Sequence, residues 1–520
     1  MRLSLIQLTM SCLLLNACMM VGPDYKEPTK KVTPHWIKKG KRVKETPMET
    51  ANWWKVFHDP TLTSLIETGY HNNITLQSTG VHVLQARAQL AQTVGQLYPQ
   101  QQLLAGNLTY QRIGGTSLQD VLPSNFETAL LGPTATWEID FWGKYRRAIL
   151  ANDAAFLASY AAYDNALVSL TADIATAYIN IRTTQQQIKV TKSNIVVQKL
   201  GLDIAQARYN AGEVSLLDVE QAKTELYETE ATLPVLVSDL QTQKDLLGVL
   251  LGTTPNHVDA LLPNKQGIPK SPSSVAVGIP KETLVKRPDI YQARMEAIAQ
   301  SEAIGAAKAN LYPAFSLTGT FAFASSTIGG SSLGNMFNWD SRTVTAGPAV
   351  NWPLLNYGQI TNSVRAQDAV FQQSLLKYLN LVLQAQQEVQ DHITQFIEAQ
   401  KSERYLEVAT KSAIQSTKLA LIRYREGEAD YTPVLDALRQ QLRVETNLTN
   451  AQGTIPKALV ALYRSLGGGW QIRQCNDIVP NRIKHQMAAR TNWGVLLKQQ
   501  NHEPPKTQPQ QMKDIFLPNW

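Results

Sequence analysis

The 520-residue chain carries a formal net charge of +7 and contains three cysteines. Its positive charge is concentrated at the ends: residues 24–47 carry +5 and residues 471–520 carry +4. The body between them is slightly acidic, which argues against a nucleic-acid-binding groove. No apolar run approaches the ~18 residues of a membrane-spanning helix, so any contact with a membrane is made by strands or by a lipid.

The first segment has the features of an export signal. Residues 1–17 combine one positive charge with a modest apolar stretch and small residues before Cys18. The run Leu15-Asn16-Ala17-Cys18 is similar to a bacterial lipobox, in which cleavage leaves the cysteine as the acylated first residue. An ordinary buried or cleaved cysteine is the alternative. Cys12 would leave with the signal and Cys475 stands alone, so the mature chain would have no internal disulfide to form.

Residues 18–50 are rich in lysine and proline, which predicts an extended, solvated tether. Helical patterning begins near residue 51. We predict a helix over Ile74–Leu97, which Tyr98-Pro99 ends because the residue before a proline is disfavoured in the helical conformation. The tether would therefore connect an acylated Cys18 to a helical body.

Four later segments alternate apolar with small or polar residues at a period of two, which predicts β-strands. They occur as two pairs, one in each half of the chain, and the connection within each pair is polar and rich in glycine or serine. Such connections are typical of the long external loops of membrane barrels. The predicted strands are Gln101–Arg112, Thr128–Trp137, Ala314–Ser325 and Thr343–Trp352, and the connections are Gly114–Phe126 and Ser326–Ser341.

Strands of about ten residues with one apolar face suit a transmembrane β-barrel, although a strand of a soluble sandwich alternates equally well. Four strands are fewer than the ~8 of the smallest closed transmembrane barrel, and an open edge cannot face lipid. Other subunits must therefore complete any barrel. The strand count requires an oligomer and leaves the number of subunits open.

The longest predicted elements are two helices, Lys144–Tyr209 and Gly358–Arg425. Neither contains a proline, and apolar residues recur along them at seven-residue intervals, as in helices packed in coiled-coil fashion. At ~1.5 Å per residue each helix would be roughly 100 Å long. The chain returns through shorter helical segments, in which Pro234 and Pro456 are expected to kink or break the helix.

The second half of the chain repeats the first. Matching residues stand 215 positions apart, from the strands (Trp137 and Trp352) to the ends of the long helices (Tyr209 and Tyr424). A unit of this length is a duplicated half-domain rather than a stacked solenoid repeat. The predicted order is a first repeat (51–252), a linker rich in proline, serine and glycine (253–280), a second repeat (281–470) and a basic tail without periodicity (471–520).

Four motifs occur in order along the chain: Cys18 with Val21–Tyr25, then Trp137–Gly143, Arg287–Ile290 and Leu466–Trp470. Together they resemble the outer-membrane factor family of TolC-like exit ducts, specifically the lipoprotein branch that serves resistance-nodulation-division (RND) efflux systems. The resemblance covers Cys18 to Trp470, and only the tail is unmatched.

The resemblance implies a mainly α fold with a small transmembrane β part. Each protomer of a homotrimer would give four strands to a twelve-stranded outer-membrane barrel and its helices to a long periplasmic α-helical barrel with an equatorial domain. The implied location is the cell outer membrane, lipid-anchored and extending into the periplasm. The implied partners are outer-membrane lipid, a periplasmic adaptor (membrane fusion) protein and an inner-membrane RND pump. No cofactor is implied beyond the N-acyl and S-diacylglycerol lipid on Cys18.

The resemblance also marks a periplasmic gate. Tyr424 and Asp436 match family positions at the constriction, where aspartates from three protomers form a ring. Asp218 matches the acceptor that holds the tyrosine in the closed state, and Thr432 stands where other members have a bulky apolar plug. A solvated helix start is the alternative reading of both acids, because carboxylates are favoured at helix N-termini.

Two positions depart from the family pattern at this gate. Ala429 stands where some relatives have an arginine, so that closing salt bridge is absent, and Pro433 stands where some have a second aspartate. Closure is therefore expected to depend more on the Tyr424–Asp218 contact and on the Asp436 ring.

Three other functions compete with an efflux duct. An enzyme is disfavoured because the eight histidines are scattered, with no metal-like pairing to cysteine or carboxylate, so no catalytic or metal site is predicted. An exit duct for type I protein secretion shares the architecture and is the main alternative. A trimeric coiled-coil adhesin without a lumen is disfavoured by the small polar face of every predicted strand.

Overall fold

The computed structural model describes residues 20–37, 42–46, 50–114, 123–263, 267–474 and 476–498. Within them it contains six strands and ten α-helices. The strands are β1 (Val43–Lys44), β2 (Gln101–Arg112), β3 (Asn125–Ile139), β4 (Val275–Ala276), β5 (Ala314–Ser326) and β6 (Arg342–Asn351). The helices are α1 (Pro60–Asn72), α2 (Ile74–Gly95), α3 (Lys144–Asn210), α4 (Leu216–Leu251), α5 (Pro255–Leu261), α6 (Pro280–Leu284), α7 (Pro288–Ala309), α8 (Gln359–Arg425), α9 (Thr432–Ser465) and α10 (Asn481–Arg490).

The four long strands form one antiparallel sheet in the order β2-β3-β5-β6. The prediction of four strands is confirmed, with β3 beginning three residues earlier than expected and ending two later. Paired residues on one face are apolar, as at Trp137 with Leu317, whereas on the other they are small and polar, as at Thr134 with Thr320 and Thr320 with Thr345. A period of two therefore gives the sheet two chemically distinct faces.

The helices α3 and α8 dominate the molecule, and each has 67 residues. Both follow a glycine in the left-handed conformation, Gly143 (φ 75°) and Gly358 (φ 83°), which lets the chain turn sharply from strand to helix. The seven-residue seam is buried in both: Ile174 and Ile181 in α3 and Val389 in α8 are fully inaccessible. In the described part of the chain, no helix is both long enough and apolar enough to cross a membrane.

The helices α4 and α9 return from the far ends of α3 and α8. Of the two outcomes predicted for their prolines, a kink or a break, the break is wrong. Both continue through their internal prolines, Pro234 and Pro456. An internal proline removes one backbone hydrogen bond, and packing holds the turns on either side of it. In α9, Gly453 lies directly against the side chain of Thr183, so the backbone of α9 approaches α3 closely one turn before the buried Pro456.

The segment after Met20 is extended, as expected for a tether, and many of its residues are exposed, but it is packed on the body at several points. Val21, Trp36 and Val43 are buried, and β1 pairs in parallel with β4. Two of its backbone amides donate to glutamine side chains of α8: Thr33 to Oε1 of Gln386 at 3.0 Å and Ile37 to Oε1 of Gln390 at 2.9 Å. Composition indicates polarity, but it does not reveal that a polar segment will find partners on a neighbouring helix.

Arg147 fastens the beginning of this segment. Only 3% of its side chain is exposed, and its guanidinium donates to Glu302 Oε2 on α7 (2.7 Å), to Asp24 Oδ1 (2.9 Å) and to the carbonyl of Val21 (3.2 Å). Charge-assisted bonds of this kind are stronger than neutral ones. The first described residues are therefore held between the two repeats.

Two further segments have more structure than their sequences predict. The linker contains α5 and β4, with Val258 and Val277 fully buried. The tail contains α10 and packs on the body through Val479 and Met487. Such short elements show no periodicity because each contributes only one or two residues to the core.

Asp153 lies half-buried on α3, and among the described residues its carboxylate has no hydrogen-bond or ion-pair partner. Burial raises its pKa from the ordinary 3.8 to about 6, so the folded state binds a proton that the unfolded chain releases near pH 4. Asp153 therefore costs the folded state no stability below pH 4, and this cost grows as the pH rises to about 6.

Asp153→Asn is therefore expected to stabilise the protein by about 1–3 kcal/mol at pH 7 and to change nothing at pH 4. The measurement is the melting temperature in detergent at both pH values. An equal gain at both would show that packing, not titration of Asp153, causes it.

Candidate channel wall and periplasmic tip

The sheet offers a wall with one apolar and one small polar face, but it is open at both edges. The outer edges of β2 and β6 have no strand partner among the described residues. Apolar side chains near these edges are exposed, including Leu104 and Leu108 on β2 and Val344 and Val350 on β6. The unpaired backbone N–H and C=O groups of these edges can hydrogen-bond to a further strand, which would also cover the exposed apolar side chains.

The junction between sheet and helices is covered in the first repeat and bare in the second. After β3, Trp142 stacks on Tyr312 (ring centroids 4.6 Å apart) and donates from Nε1 to the carbonyl of Pro313 at 2.9 Å. After β6, Tyr357 stands in the place of Trp142 and is 95% exposed, and the nearby Leu355 is 82% exposed. The first junction is covered by the second repeat, and nothing in the described chain covers the second.

The helices show the same asymmetry. Helix α7, from the second repeat, packs on α8 of its own repeat and on α3 of the first. Its counterpart α2 packs on α3 of its own repeat and makes no comparable contact with α8. Helix α8 accordingly exposes Leu376 and Leu383.

At the far end of the long helices, the structure brings Tyr424 and Asp218 together. The Tyr424 hydroxyl donates to Asp218 Oδ2 at 3.1 Å, so the expected contact between the repeats is present. Tyr424 is fully buried. The guanidinium of Arg208 lies 4.8 Å from the centre of its ring, and the ring of Tyr431 packs edge-on with centroids 5.1 Å apart. Burial first and Asp218 second raise the pKa of Tyr424 far above neutrality, so its hydroxyl stays protonated and remains a donor.

Thr432 and Asp436 do not take part in this contact. Thr432 is the first residue of α9 and Asp436 lies four residues later, on the same side of the helix. Both are exposed. In the described part of the chain the carboxylate of Asp436 forms no hydrogen bond or ion pair, although it interacts electrostatically with Arg439. Pro433 stands in the first turn of α9, where its missing N–H costs no helical hydrogen bond.

A second contact between the repeats lies beside the first and escaped prediction. Glu225 on α4 is 4% exposed, and its Oε2 accepts from Nε of Arg439 on α9 at 2.7 Å. Nearby, Gln198 on α3 donates to Thr229 Oγ1 at 3.0 Å. The sequence contained one sign of this contact: Glu225 lies on the same buried face of α4 as Ala222 and Thr229. A carboxylate in such a position requires a partner, which would have predicted a nearby cation. Cys18, the remaining predicted site, lies outside the described residues.

The profile of the family described as "Outer membrane efflux protein" matches residues 65–253 and 279–468, which span both repeats. The chain belongs to the outer membrane efflux protein family. Proteins of this family are outer-membrane channels for efflux and not enzymes, and the chain is an outer-membrane protein that reaches into the periplasm.

Individual family members are similar over nearly their whole length. TtgF of Pseudomonas putida, a toluene efflux pump outer membrane protein, is 27% identical over 475 residues, 88% of this chain and 95% of TtgF. Nodulation protein T of Rhizobium leguminosarum bv. viciae is 27% identical over 462 residues, 88% of this chain and 92% of that protein. The solved outer-membrane channel OprN superposes with a TM-score of 0.80 at 29% identity, covering 87% of this chain and all of OprN.

Proposed function

We propose that the protein is the outer-membrane exit duct of a tripartite RND-type efflux system. It passively conducts drugs or other small molecules from the periplasm to the exterior, receives them through a periplasmic adaptor from an inner-membrane pump, and is gated at its periplasmic tip. The match of both repeats to the outer membrane efflux protein family is the observation that supports this most. The small polar face of the sheet supports a water-filled passage.

The working unit is a homotrimer with a twelve-stranded barrel. Four strands cannot close a barrel, and the free edges of β2 and β6 can pair between protomers. The internal repeat suggests how two protomers contact each other. Within one chain the second repeat covers the junction after β3, and a neighbouring protomer would cover the equivalent junction after β6 in the same way. The next protomer's α2 and the start of its β2 would cover Leu355, Tyr357 and the exposed face of α8, as α7 and β5 cover the first junction within one chain.

The protein is anchored by a lipid on Cys18, with N-acyl (palmitate) and S-diacylglycerol chains. Two residues further, Met20 lies against Gly143, and the amide of Val21 donates to the carbonyl of Trp142 at 3.0 Å. These contacts lie where the sheet meets the helices, which is the level of the periplasmic leaflet for a barrel in the outer membrane. Labelled palmitate should enter the wild type and not Cys18→Ser.

Deletion of the gene tests the proposed function. The deletion strain should become sensitive to antibiotics, dyes or detergents, while export of protein substrates by type I systems continues. The wild-type gene should restore resistance. Unchanged drug susceptibility with lost protein export would overturn the proposal in favour of a type I secretion duct.

At the tip, three Asp436 carboxylates are proposed to form a cation-attracting constriction, as carboxylate rings do in channels. Asp436→Ala is therefore expected to lower the cation selectivity of the reconstituted protein, measured as the reversal potential across a planar bilayer under a salt gradient. Asp239→Ala is the control, because Asp239 is exposed on α4 about 34 Å from the tip turn. Selectivity equal to that of the wild type would contradict the ring.

A further inference from the structure

The apolar face of the sheet ends in an arginine on each of its two edge strands. Arg112 is the last residue of β2, and Arg342 is the first residue of β6. Because side chains alternate between the two faces of a strand, Arg112 lies on the same face as Leu108. In the same way Arg342 shares the face of Val344, and both apolar side chains are exposed. Each arginine therefore ends a row of apolar side chains.

Both arginines lie at the end of the sheet that is remote from the helices. The connections 113–124 and 327–341 join the strands at this end, whereas α2, α3, α7 and α8 join the sheet at the other. Since the chain reaches into the periplasm, the end with these connections is the outer one. In a barrel whose small polar face lines the passage, the apolar face contacts lipid acyl chains. The side chains at its outer end then lie among the headgroups.

Aromatic side chains hold Arg342 in place. Its guanidinium lies 4.8 Å from the centre of the Trp339 ring, and its Nη1 donates to the carbonyl of Trp339 at 2.8 Å. The indole ring packs on Phe321 and Phe323, with centroids 6.5 Å apart in both pairs. Trp339 remains 65% exposed. Aromatic side chains of membrane barrels collect at the level of the headgroups, so Trp339 places the Arg342 guanidinium at that level.

The two guanidinium groups have N–H donors to spare. Arg112 is exposed and forms no hydrogen bond or ion pair in the described part of the chain. Arg342 is 41% exposed, and its ion-pair partner Asp340 is fully exposed and 3.9 Å away. A second acid, Glu127, lies opposite Tyr110 on the same face. Because two acids offset two arginines, net charge does not distinguish this place. Free guanidinium groups beside an apolar surface do.

The two arginines come together in the proposed homotrimer. Within one chain β2 and β6 form opposite edges of the sheet. When β6 pairs with β2 of the next protomer, the two strands are antiparallel, as all neighbours in this sheet are. The first residue of β6 and the last residue of β2 then both lie at the outer end of the new pair. Neighbouring strands are only about 4.8 Å apart, so both side chains can reach one headgroup.

We propose that Arg112 of one protomer and Arg342 of the next bind the phosphate groups of the phosphorylated glycolipid that forms the outer leaflet of the outer membrane. A guanidinium fork donates two parallel hydrogen bonds to a phosphate, and stacking on an aromatic ring does not consume them. The apolar rows below the arginines pack on the acyl chains. Each glycolipid lies across a joint between protomers and ties them together. This inference rests on the proposed homotrimer with a twelve-stranded barrel.

The test measures binding of diphosphoryl lipid A to the full-length, acylated protein in detergent by native mass spectrometry. We expect the trimer to bind one molecule at each joint. Arg112→Gln and Arg342→Gln should each weaken binding about tenfold, because each removes hydrogen bonds to a charged group. Asp340→Asn should strengthen it, because it removes a competing carboxylate. The control is Arg404→Gln, an exposed arginine on α8 roughly 70 Å from the sheet, which should leave binding unchanged.

Other ligands identify what the site recognises. Dephosphorylated lipid A should bind the wild type no better than it binds the double variant. Excess inorganic phosphate should not displace lipid A, because it lacks acyl chains; displacement would overturn the proposal in favour of a site for free anions. Equal affinity for phosphatidylglycerol would overturn the assignment to a glycolipid. Binding should persist in EDTA, since its loss would assign the phosphates to a divalent cation on Glu127 and Asp340.

The same preparations separate this site from the duct. Arg112→Gln with Arg342→Gln should remain a trimer that conducts in planar bilayers, because both residues lie on the face turned away from the passage. Lipid A bound equally well by this variant and the wild type would overturn the proposal. A conducting wild-type trimer that binds no lipid A would support the duct and overturn the site. Arginine-dependent binding to a trimer that conducts nothing would support the site and overturn the duct.

Discussion

Replacing Tyr424 by phenylalanine together with Asp218 by alanine is expected to raise the open population of the channel at least tenfold. The pair joins the two repeats at the tip by one buried hydrogen bond from a phenol to a carboxylate, at 3.1 Å. Hydrogen bonds to charged groups contribute about 1.5–3 kcal/mol, which corresponds to roughly a 10–150-fold change in an equilibrium. The measurements are single-channel conductance in planar bilayers and influx of an antibiotic too large for ordinary porins.

Tyr405→Phe is a matched control for this experiment. Tyr405 lies on the same helix as Tyr424 but is 78% exposed and bonds to no described residue. Its loss of a hydroxyl should leave conductance unchanged. Adding Arg439→Gln to the double variant should open the tip further, because Glu225 then loses its cation. Conductance and influx at the wild-type level in the double variant would show that Tyr424 and Asp218 do not hold the tip closed.

Replacing Arg473 by leucine is expected to lower the free energy of unfolding by about 3–5 kcal/mol, the usual cost of leaving a buried charge without its partner. Arg473 and Asp164 are each 9% exposed, and Arg473 also lies over the rings of Tyr160 and Trp470. Burial raises the pKa of Asp164 and Arg473 opposes that rise. Without Arg473 the pKa rises further, so Asp164 is neutralised more readily and the defect should shrink as the pH falls from 8 to 5.

Two comparisons identify the cause of this loss. Arg464→Leu breaks the exposed pair with Asp173 (3.2 Å) on the neighbouring faces of α9 and α3 and should cost no more than about 1 kcal/mol. Asp164→Leu with Arg473→Leu removes both charges and should recover most of the melting temperature in detergent. If the double variant melts as low as Arg473→Leu, lost packing rather than the unpaired carboxylate is responsible.

The long elements of this fold could be predicted because their periodicity extends over many residues. The seven-residue pattern through Ile174 and Ile181 predicted the end of α3 to within one residue, and the alternation around Phe321 predicted the end of β5 equally well. The contact of Tyr424 with Asp218 was accessible only through the family resemblance, because nothing local indicates that residues 206 positions apart meet.

The features that escaped prediction depend on contacts between distant segments. Trp36 lies in a segment rich in lysine and proline, yet it is buried and donates from Nε1 to the carbonyl of Gly278, 242 positions away in the linker. Glu225 on α4 pairs with Arg439 on α9, 214 positions later in the chain, and Arg473 pairs with Asp164, 309 positions earlier. Pro456 continues its helix because packing on α3 and α8 outweighs one lost hydrogen bond. Composition and period describe a segment by itself, and these outcomes depend on what lies beside it.

The equal length of α3 and α8 limits how this protein can evolve. Inserting one turn in a single repeat would lower one of its two tip loops by about 5.4 Å relative to the other. In the proposed homotrimer, the rim would then present alternating high and low loops, and the proposed adaptor would contact only three of the six. A change in reach across the periplasm must therefore occur in both repeats together, so the duplication ties the two halves of the gene to one common length.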